Sequence, residues 1–340
     1  MKKLALTIFF LCFFGGTLFS QTIPMDSLYL GQTPPGSTPI VFTLPVSTGL
    51  QPVERITISS DSKEIYYSEI DYWPGTIKRI QCFKYIGDAW QGPTLAFEGY
   101  SYPALSMDDS IMYMQTEVTL NNQSVATTFS SKRNGTGWST PVRLLSTDLQ
   151  THYFQSTQSG NQYLASTPDG NSDICKLICT NSDTTIQSLG KPINTSATEN
   201  DFFIARDESY IIVFRLSAPY NLFISYHKGD DTWTNPKAFG PNINTSIYEC
   251  SPFVSNDNKY LFFTRGSGSS MPTYSTYWVN IEGLIDSLRS TNYAPYLASV
   301  IPNQTDTVGR LFNYTIPNNT FIDDDGNQTL SLSAKLLNGN

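Results

Sequence analysis

Histidine, serine and acidic side chains are the groups of this sequence that could serve as base, nucleophile or metal ligand. Only two histidines are present, His152 and His227, which restricts designs that need an imidazole base or metal ligand. The segment 99–103, Gly-Tyr-Ser-Tyr-Pro, comes nearest to the Gly-x-Ser-x-Gly turn that exposes a nucleophilic serine, but proline replaces the second glycine. The sequence therefore predicts no catalytic residue.

Acidic residues recur at one kind of place, a few residues ahead of short aromatic segments. The glutamates there are Glu54, Glu199 and Glu249, and His152 holds a similar place in another copy. If these side chains face a central channel, they surround one of its ends and form a ligand-binding site. Polar side chains are also common in turns, where they bond nearby backbone groups. Structural turns therefore explain the same four residues equally well.

His152 joins this set through the alignment of the copies. It stands six residues before Gln158, and the residues at that place in the other copies are Arg55, Tyr102, Asp201 and Ser251. His227 lies in a polar hairpin turn, and the sequence assigns it no role.

These residues lie just ahead of a short sequence motif that recurs five times. Its copies start at Ser59, Ser106, Ser156, Ala205 and Ser255, with steps of 47, 50, 49 and 50 residues. Each copy begins with four residues rich in Asp, Asn, Ser or Gly, whose short side chains favour a tight turn. An aromatic and aliphatic segment of strand length follows. This period predicts an all-β fold, a β-propeller of five blades. A six-bladed ring would need a copy too diverged to recognise. The third copy departs most, with Gln158 in place of the usual Asp.

A second element, Trp or Gly followed by Pro, precedes most of the turns. It occurs at Trp90–Pro93, Trp138–Pro141, Gly190–Pro192 and Trp233–Pro236. Proline cannot donate to a β-ladder, so the element marks the outer strand of each blade. We expect the tryptophans to pack between blades, or to stack on sugars if they are exposed.

The N-terminus holds a further copy of the outer strand. Residues 39–48 align with residues 236–245 but have no strands of their own before them, and the last copy lacks an outer strand. We therefore predict that the N-terminal strand completes the last blade, which removes exposed sheet edges.

The two ends of the chain differ from the repeats. Residues 1–20 combine Met1-Lys2-Lys3 with an apolar run and Ser20, which predicts a cleaved secretory signal peptide and export. An uncleaved membrane anchor is the alternative, although the apolar run is shorter than a spanning helix needs.

The propeller is expected at 21–289 and a linker at 290–296. Residues 297–340 contain short strands of an immunoglobulin-like sandwich, and we expect them to form only part of such a domain, because a complete one needs about 100 residues.

Composition excludes some partners. The net charge of −8 argues against nucleic acid and anionic lipid, which are bound through basic patches. No transmembrane segment is expected once the signal has been removed. The cysteines are scattered, and their spacing does not reveal a disulfide pairing.

The turn-plus-aromatic-strand repeat over residues 29–289 resembles the WD-like propeller repeat of the TolB type, found in many exported bacterial proteins. The resemblance implies a location outside the cell, in the outer envelope or in the periplasm, and no cofactor for the propeller. The tail is similar to dystroglycan-type cadherin-like domains through Phe321, Asp323, the pair Asp325-Gly326, and Leu330. That similarity implies calcium as a cofactor, with Asp323 and Asp325 as ligands. Calcium takes six to eight oxygens, so a solvated acidic turn is the alternative.

Taken together, these features predict an exported or envelope-associated, non-catalytic binding or scaffold protein. Its propeller would bind an envelope protein or a glycan. The alternative is an enzyme, either a propeller hydrolase or lyase that acts on polysaccharide, or the propeller portion of a longer enzyme.

Overall fold

A computed structural model describes most of the chain between residues 22 and 289. The described residues are 22–72, 75–180, 183–217, 220–229, 232–245, 248–267, 273–289, 296–297, 299, 301–304, 309, 313–317 and 320–322. The predicted signal peptide therefore lies outside the described residues, and so do Asp323 and Asp325.

Five antiparallel sheets of four or five strands follow one another along the chain, and each is one blade of a β-propeller. The five-bladed prediction is confirmed. The first blade holds β2 (Gln51–Pro52), β3 (Thr57–Ile58), β4 (Glu64–Ile70), β5 (Lys78–Ile86) and β6 (Ala89–Glu98). The second holds β7 (Ser101–Leu105), β8 (Ile111–Leu120), β9 (Gln123–Asn134), β10 (Gly137–Trp138) and β11 (Val142–Arg143).

The remaining blades have four strands each. The third consists of β12 (Thr151–Ser156), β13 (Gln162–Ser166), β14 (Asp173–Cys179) and β15 (Thr184–Ser188). The fourth consists of β16 (Thr198–Ile204), β17 (Tyr210–Leu216), β18 (Asn221–Tyr226) and β19 (Lys237–Ala238). The fifth consists of β20 (Glu249–Val254), β21 (Tyr260–Ser267), β22 (Thr273–Asn280) and the N-terminal strand β1 (Ile40–Val41).

The closing strand is where the sequence predicted it. Ile40 pairs with Trp278 and Val41 with Tyr277, so β1 forms the outer edge of the fifth blade. The next residue, Phe42, donates its N–H to the carbonyl of Thr276 at 2.8 Å. The ring is therefore closed by strands from both ends of the propeller.

The polar four-residue motifs form the turn that follows the inner strand of each blade, as their chemistry predicts; in blade one this turn joins β3 to β4. In the first turn, Asp61 accepts hydrogen bonds from the Ser59 hydroxyl at 2.7 Å and from the Lys63 N–H at 3.0 Å. The fourth residue of every turn has a positive φ, between 57° and 85°: Ser62, Asp109, Gly160, Glu208 and Asn258. Asn and Asp tolerate this left-handed conformation and glycine adopts it freely, which explains Asp109, Gly160 and Asn258 at this position of the motif.

The third turn begins one residue later than the sequence alignment placed it. The Gly160 N–H donates to the Thr157 carbonyl, as the Ser62 N–H does to the Ser59 carbonyl, so Thr157 corresponds to Ser59. This hairpin is also one residue shorter, because Thr157 N–H bonds the carbonyl four residues on instead of five. Ser159, and not Gln158, therefore holds the place of the Asp.

The tryptophans of the outer-strand element pack between elements. The Trp138 ring of blade two lies 6.1 Å from the rings of Tyr66 and Phe97 in blade one. Trp233 belongs to an apolar cluster that includes Tyr163 of blade three. The indole N–H of Trp90 donates to the Ser27 carbonyl in the N-terminal segment. Inter-blade packing is thus confirmed for Trp138 and Trp233.

Two single 3₁₀ turns, Met25–Ser27 and Tyr29–Gly31, precede the propeller, and a short helix α1 (Leu284–Leu288) follows it. The helix packs its apolar side chains on the main core. Within the described ranges, none of the helices has the length and apolar character needed to cross a membrane.

Beyond the helix, β23 (Tyr296–Leu297) pairs with β24 (Phe321–Ile322). The sandwich stays a prediction, because most of its residues lie outside the described ranges. The cysteines at 82, 175, 179 and 250 are all free thiols.

Candidate functional site

The centre of the propeller is formed by the inner strands, and four of these carry a β-bulge near their start. The register shifts after Ser101, His152, Glu199 and Cys250. Tyr102, Tyr153 and Ser251 have positive φ values of 55°, 58° and 56° at the bulge. A bulge re-aims side chains relative to the regular pleat. We call this end of the channel the bulge end, and the opposite end, bordered by the five turns, the turn end.

One residue from each blade lies at the channel centre, at the bulge in blades two to five and between β2 and β3 in blade one. These residues are Arg55, Tyr102, Tyr153, Asp201 and Ser251. The rings of Tyr102 and Tyr153 lie 4.8 Å apart, and Asp201 accepts hydrogen bonds from the N–H and hydroxyl of Ser251 at 3.0 Å each. Tyr153 takes the place that the sequence alignment gave to His152, because the third turn is shifted by one residue.

Arg55 is the largest charged side chain at the centre, and only 2% of it is exposed. Its guanidinium donates one hydrogen bond to the Phe154 carbonyl at 2.7 Å and lies 4.6 Å above the centre of the Tyr153 ring. Its Nε has no hydrogen-bond partner among the described residues. Burial lowers the pKa of this arginine. Arg55 is therefore a buried cation with spare donors.

A small cavity at the bulge end contains two carboxyl groups, those of Glu54 and Asp201. It offers only about 10 Å³ to the centres of water molecules, room for about one water. Burial raises the pKa of Glu54 to about 8 and that of Asp201 to about 6. Glu54 Oε2 lacks a hydrogen-bond partner within the described part of the chain. Carboxyl groups with strongly raised pKa values are often found at functional sites.

Glu199 and Glu249, the other predicted glutamates, are each held within one blade. Glu199 accepts from the N–H and hydroxyl of Thr195, at 3.0 and 2.7 Å, and pairs with Arg215 at 2.7 Å. Glu249 makes the same contacts with Thr245 and pairs with Arg265 at 3.0 Å. Both carboxylates are fully buried. Their role in ligand binding stays a prediction, while their contacts show a structural clamp repeated in two blades.

The histidines lie apart from these clamps. His152 is buried, with Nε2 3.4 Å from the Gln150 amide and 3.3 Å from the Ser172 hydroxyl. Burial lowers its pKa to about 4, so the ring is neutral at physiological pH. The His227 ring packs on Trp233 at 4.8 Å. In the ranges that the structure describes, His, Cys, Asp and Glu form no group suited to a metal ion.

A second cavity opens at the turn end and reaches down to Arg55. Its walls are mainly apolar, with Ile58, Leu105, Phe203, Phe253 and Val254 among them. It offers about 40 Å³ to the centres of water molecules, room for about three waters or one carboxylate group. Sequence reasoning missed this cavity, because its polar residues lie in turns, where polar residues need no functional explanation.

Arg206 spans the opening of this cavity. Its guanidinium donates to the Asn256 side chain at 3.2 Å and to the Met107 carbonyl at 3.4 Å, which joins blades four, five and two. Asn256 in turn donates to the Ser59 carbonyl at 2.7 Å. Hydrogen bonds at 3.2–3.4 Å are long, so a better acceptor would readily replace them.

The titration of Glu54 gives a prediction for stability. Its folded pKa of about 8 exceeds the ordinary value of 4.5, so the folded state binds more protons between these values and loses stability as pH rises. Asp201 titrates near 6, and the lowered pKa of His152 affects stability mainly between about 4 and its ordinary value of 6.5, so Glu54 dominates between pH 6.5 and 8. In urea titrations over that window, we expect the unfolding free energy to fall by about 2 kcal/mol.

Glu54→Gln is the test of this assignment, because glutamine keeps the shape but cannot ionise. The variant should show a flat profile between pH 6.5 and 8. An equally steep decline in the variant would assign the titration to another group.

The fold and the channel define this protein as a five-bladed β-propeller whose centre is filled by buried polar side chains. No family model matches the chain, and no curated protein matches its sequence.

Solved structures do match it. TolB from Acinetobacter baumannii aligns with a TM-score of 0.44 and 14% identity over 67% of this chain, which spans only 57% of the TolB chain. The periplasmic gluconolactonase PpgL from Pseudomonas aeruginosa aligns with a TM-score of 0.40 and 12% identity. The alignment covers 68% of this chain and 72% of the PpgL chain. The GH74 enzyme from Niastella koreensis aligns with a TM-score of 0.42 and 15% identity. That alignment covers 70% of this chain and 37% of the enzyme's chain. At these values the likeness says nothing about activity.

Proposed function

We propose that this protein is an exported, non-catalytic binding protein that holds a partner at the turn end of its propeller. The cavity at that end carries the proposal, since an apolar pocket with a few convergent polar groups is the usual form of a binding site. The surrounding turns are tied together, for example by the Ser60 N–H and hydroxyl that donate to Asp109 of the next blade. A rigid rim of this kind lowers the entropy lost on binding.

The size of the cavity favours an envelope protein over a glycan as the partner. Room for about three waters admits a side-chain end or a chain terminus, whereas a sugar ring needs more space. The negative charge of the chain is consistent with this choice and unfavourable for nucleic acid. The signal-like residues 1–20 and the TolB-type repeat support export to the periplasm, the outer envelope or the exterior.

A hydrolase or lyase that acts on polysaccharide is the second candidate, as is the propeller portion of a longer enzyme. The observation in its favour is the pair of raised carboxyl pKa values at Glu54 and Asp201. The cavity beside them admits about one water, which is too little for a substrate. We therefore rank binding above catalysis.

Site-specific photo-crosslinking in the envelope of the native cell tests the proposal. A crosslinker at Asn258, exposed at the turn end, should capture one envelope protein. The matched control is Leu95, which is 53% exposed on the outer strand of blade one and should capture nothing. Capture of glycan alone would make the protein a carbohydrate-binding module. Equal capture at both positions, or turnover of a polysaccharide panel that Glu54→Gln abolishes, would overturn the proposal.

For the tail, we propose that Asp323 and Asp325 bind calcium, on the cadherin-like similarity of residues 297–340. Bound calcium should slow proteolysis of the tail and leave the propeller unaffected. Equal rates of tail cleavage with calcium and with a chelator would remove this proposal.

A further inference from the structure

We propose that the turn-end cavity recognises a carboxylate group, with Arg55 at its floor and Arg206 at its opening. This inference deepens the proposed function, because it specifies the chemical group that a partner inserts. Arg55 is nine-tenths buried or more and lines the cavity, and its Nε finds no hydrogen-bond partner in the part of the chain that the structure describes. A buried donor without a partner costs free energy, which a bound acceptor recovers.

The electrostatic surroundings of Arg55 favour the binding of an anion. None of the ion pairs within 4.0 Å among the described residues includes Arg55. The charge of Asp201 attracts Arg55, but within the described residues the two form no ion pair, and Asp201 accepts its hydrogen bonds from Ser251. Asp109, which lines the same cavity, accepts from Ser60. Among the described residues, the Phe154 carbonyl is the one hydrogen-bond acceptor of Arg55. A buried cation without an ion-pair partner is stabilised most by an anionic ligand.

Arg206 supplies the second cation. Its two bonds to neutral acceptors are 3.2 and 3.4 Å long, whereas bonds from a guanidinium to a carboxylate are about 2.7–2.9 Å long and are often bidentate. A carboxylate in the opening would therefore compete well for this guanidinium. The apolar walls, with Leu105, Phe203 and Phe253, exclude water and suit the aliphatic carbons behind the carboxylate.

The size of the cavity selects a carboxylate over larger anions. Room for about three waters matches the three heavy atoms of a carboxylate and is tight for a phosphate or sulfate with its substituent. The group has two sources in proteins, an acidic side chain and the C-terminal chain end. Both present the same anion on a short aliphatic stem.

Titration calorimetry and ligand-observed NMR with propionate, and with its neutral analogue propionamide, test the inference on the full chain. We expect propionate to bind with a Kd in the millimolar range and propionamide to bind at least about tenfold more weakly. Arg206→Gln should weaken propionate about tenfold or more. The control Arg79→Gln alters a half-buried arginine of blade one, away from the cavity, that pairs with Glu98, and it should leave propionate binding unchanged.

Arg55→Met removes the buried cation and keeps its length, and it should abolish propionate binding. If that variant fails to fold, Arg206→Gln still decides the outcome. Equal affinity for propionate and propionamide, or unchanged binding by Arg206→Gln, would overturn the inference. N-acetylglycine and the N-acetyl α-methylamide of aspartic acid then distinguish a chain end from a side chain. Propionate binding can persist even if crosslinking at Asn258 finds no partner, so the two proposals fail separately.

Discussion

Replacement of Phe42 by alanine is expected to lower the free energy of unfolding by about 3–5 kcal/mol. Phe42 is fully buried, and its ring centre lies 5.2 Å from those of Phe262 and Trp278. Truncation to alanine loses the buried apolar surface and leaves a cavity that the surrounding rings fill only in part. Because Phe42 directly follows β1, the same change loosens the strand that closes the ring. Urea denaturation followed by circular dichroism measures the loss.

The control for Phe42 lies in the closing strand itself. Ile40 pairs with Trp278 through its backbone, but its side chain is 44% exposed. Ile40→Ala keeps the backbone pairing and should change stability by no more than about 0.5 kcal/mol. A small effect of Phe42→Ala, equal to that of Ile40→Ala, would show that the closing strand lies outside the cooperative unit.

The second large effect is expected at the buried clamp of blade five. Glu249→Ala leaves Arg265 partly buried without its carboxylate partner at 3.0 Å, which should cost about 3–5 kcal/mol. It also removes the acceptor for the N–H and hydroxyl of Thr245. Thermal and urea unfolding at neutral pH measure the loss.

An exposed ion pair provides the comparison for this clamp. Glu98 pairs with Arg79 on the surface at 2.9 Å, so Glu98→Ala should cost less than about 1 kcal/mol. The double change Glu249→Leu with Arg265→Met should recover much of the stability, because neither buried charge then remains unpaired. If Glu249→Ala leaves stability intact and instead abolishes partner capture, Glu249 belongs to the ligand site that the sequence predicted.

Local chemistry made the fold predictable. The four-residue turns need short polar side chains and one residue that tolerates positive φ, and both requirements appear in the sequence. The unpaired outer strand at residues 39–48 showed which strand closes the ring, because proline restricts it to a sheet edge.

The site was harder to predict, and one residue of register explains part of the difference. The third hairpin lacks a residue that the other hairpins have, so counting from Gln158 selected His152 where the structure places Tyr153. A shift of one residue moves a side chain to the opposite face of a strand. The polar composition of the copies does not record such a shift.

The sequence by itself determined the five turns, their strands and the closing strand, since those depend on the conformational preferences of neighbouring residues. Only the tertiary structure decided which polar residues share an environment. Arg55 and Arg206 line one cavity although 150 residues separate them. The Nε of Arg55, which has no hydrogen-bond partner among the described residues, is buried by other blades. Burial and long-range contact arise when the ring closes, and no local pattern specifies them.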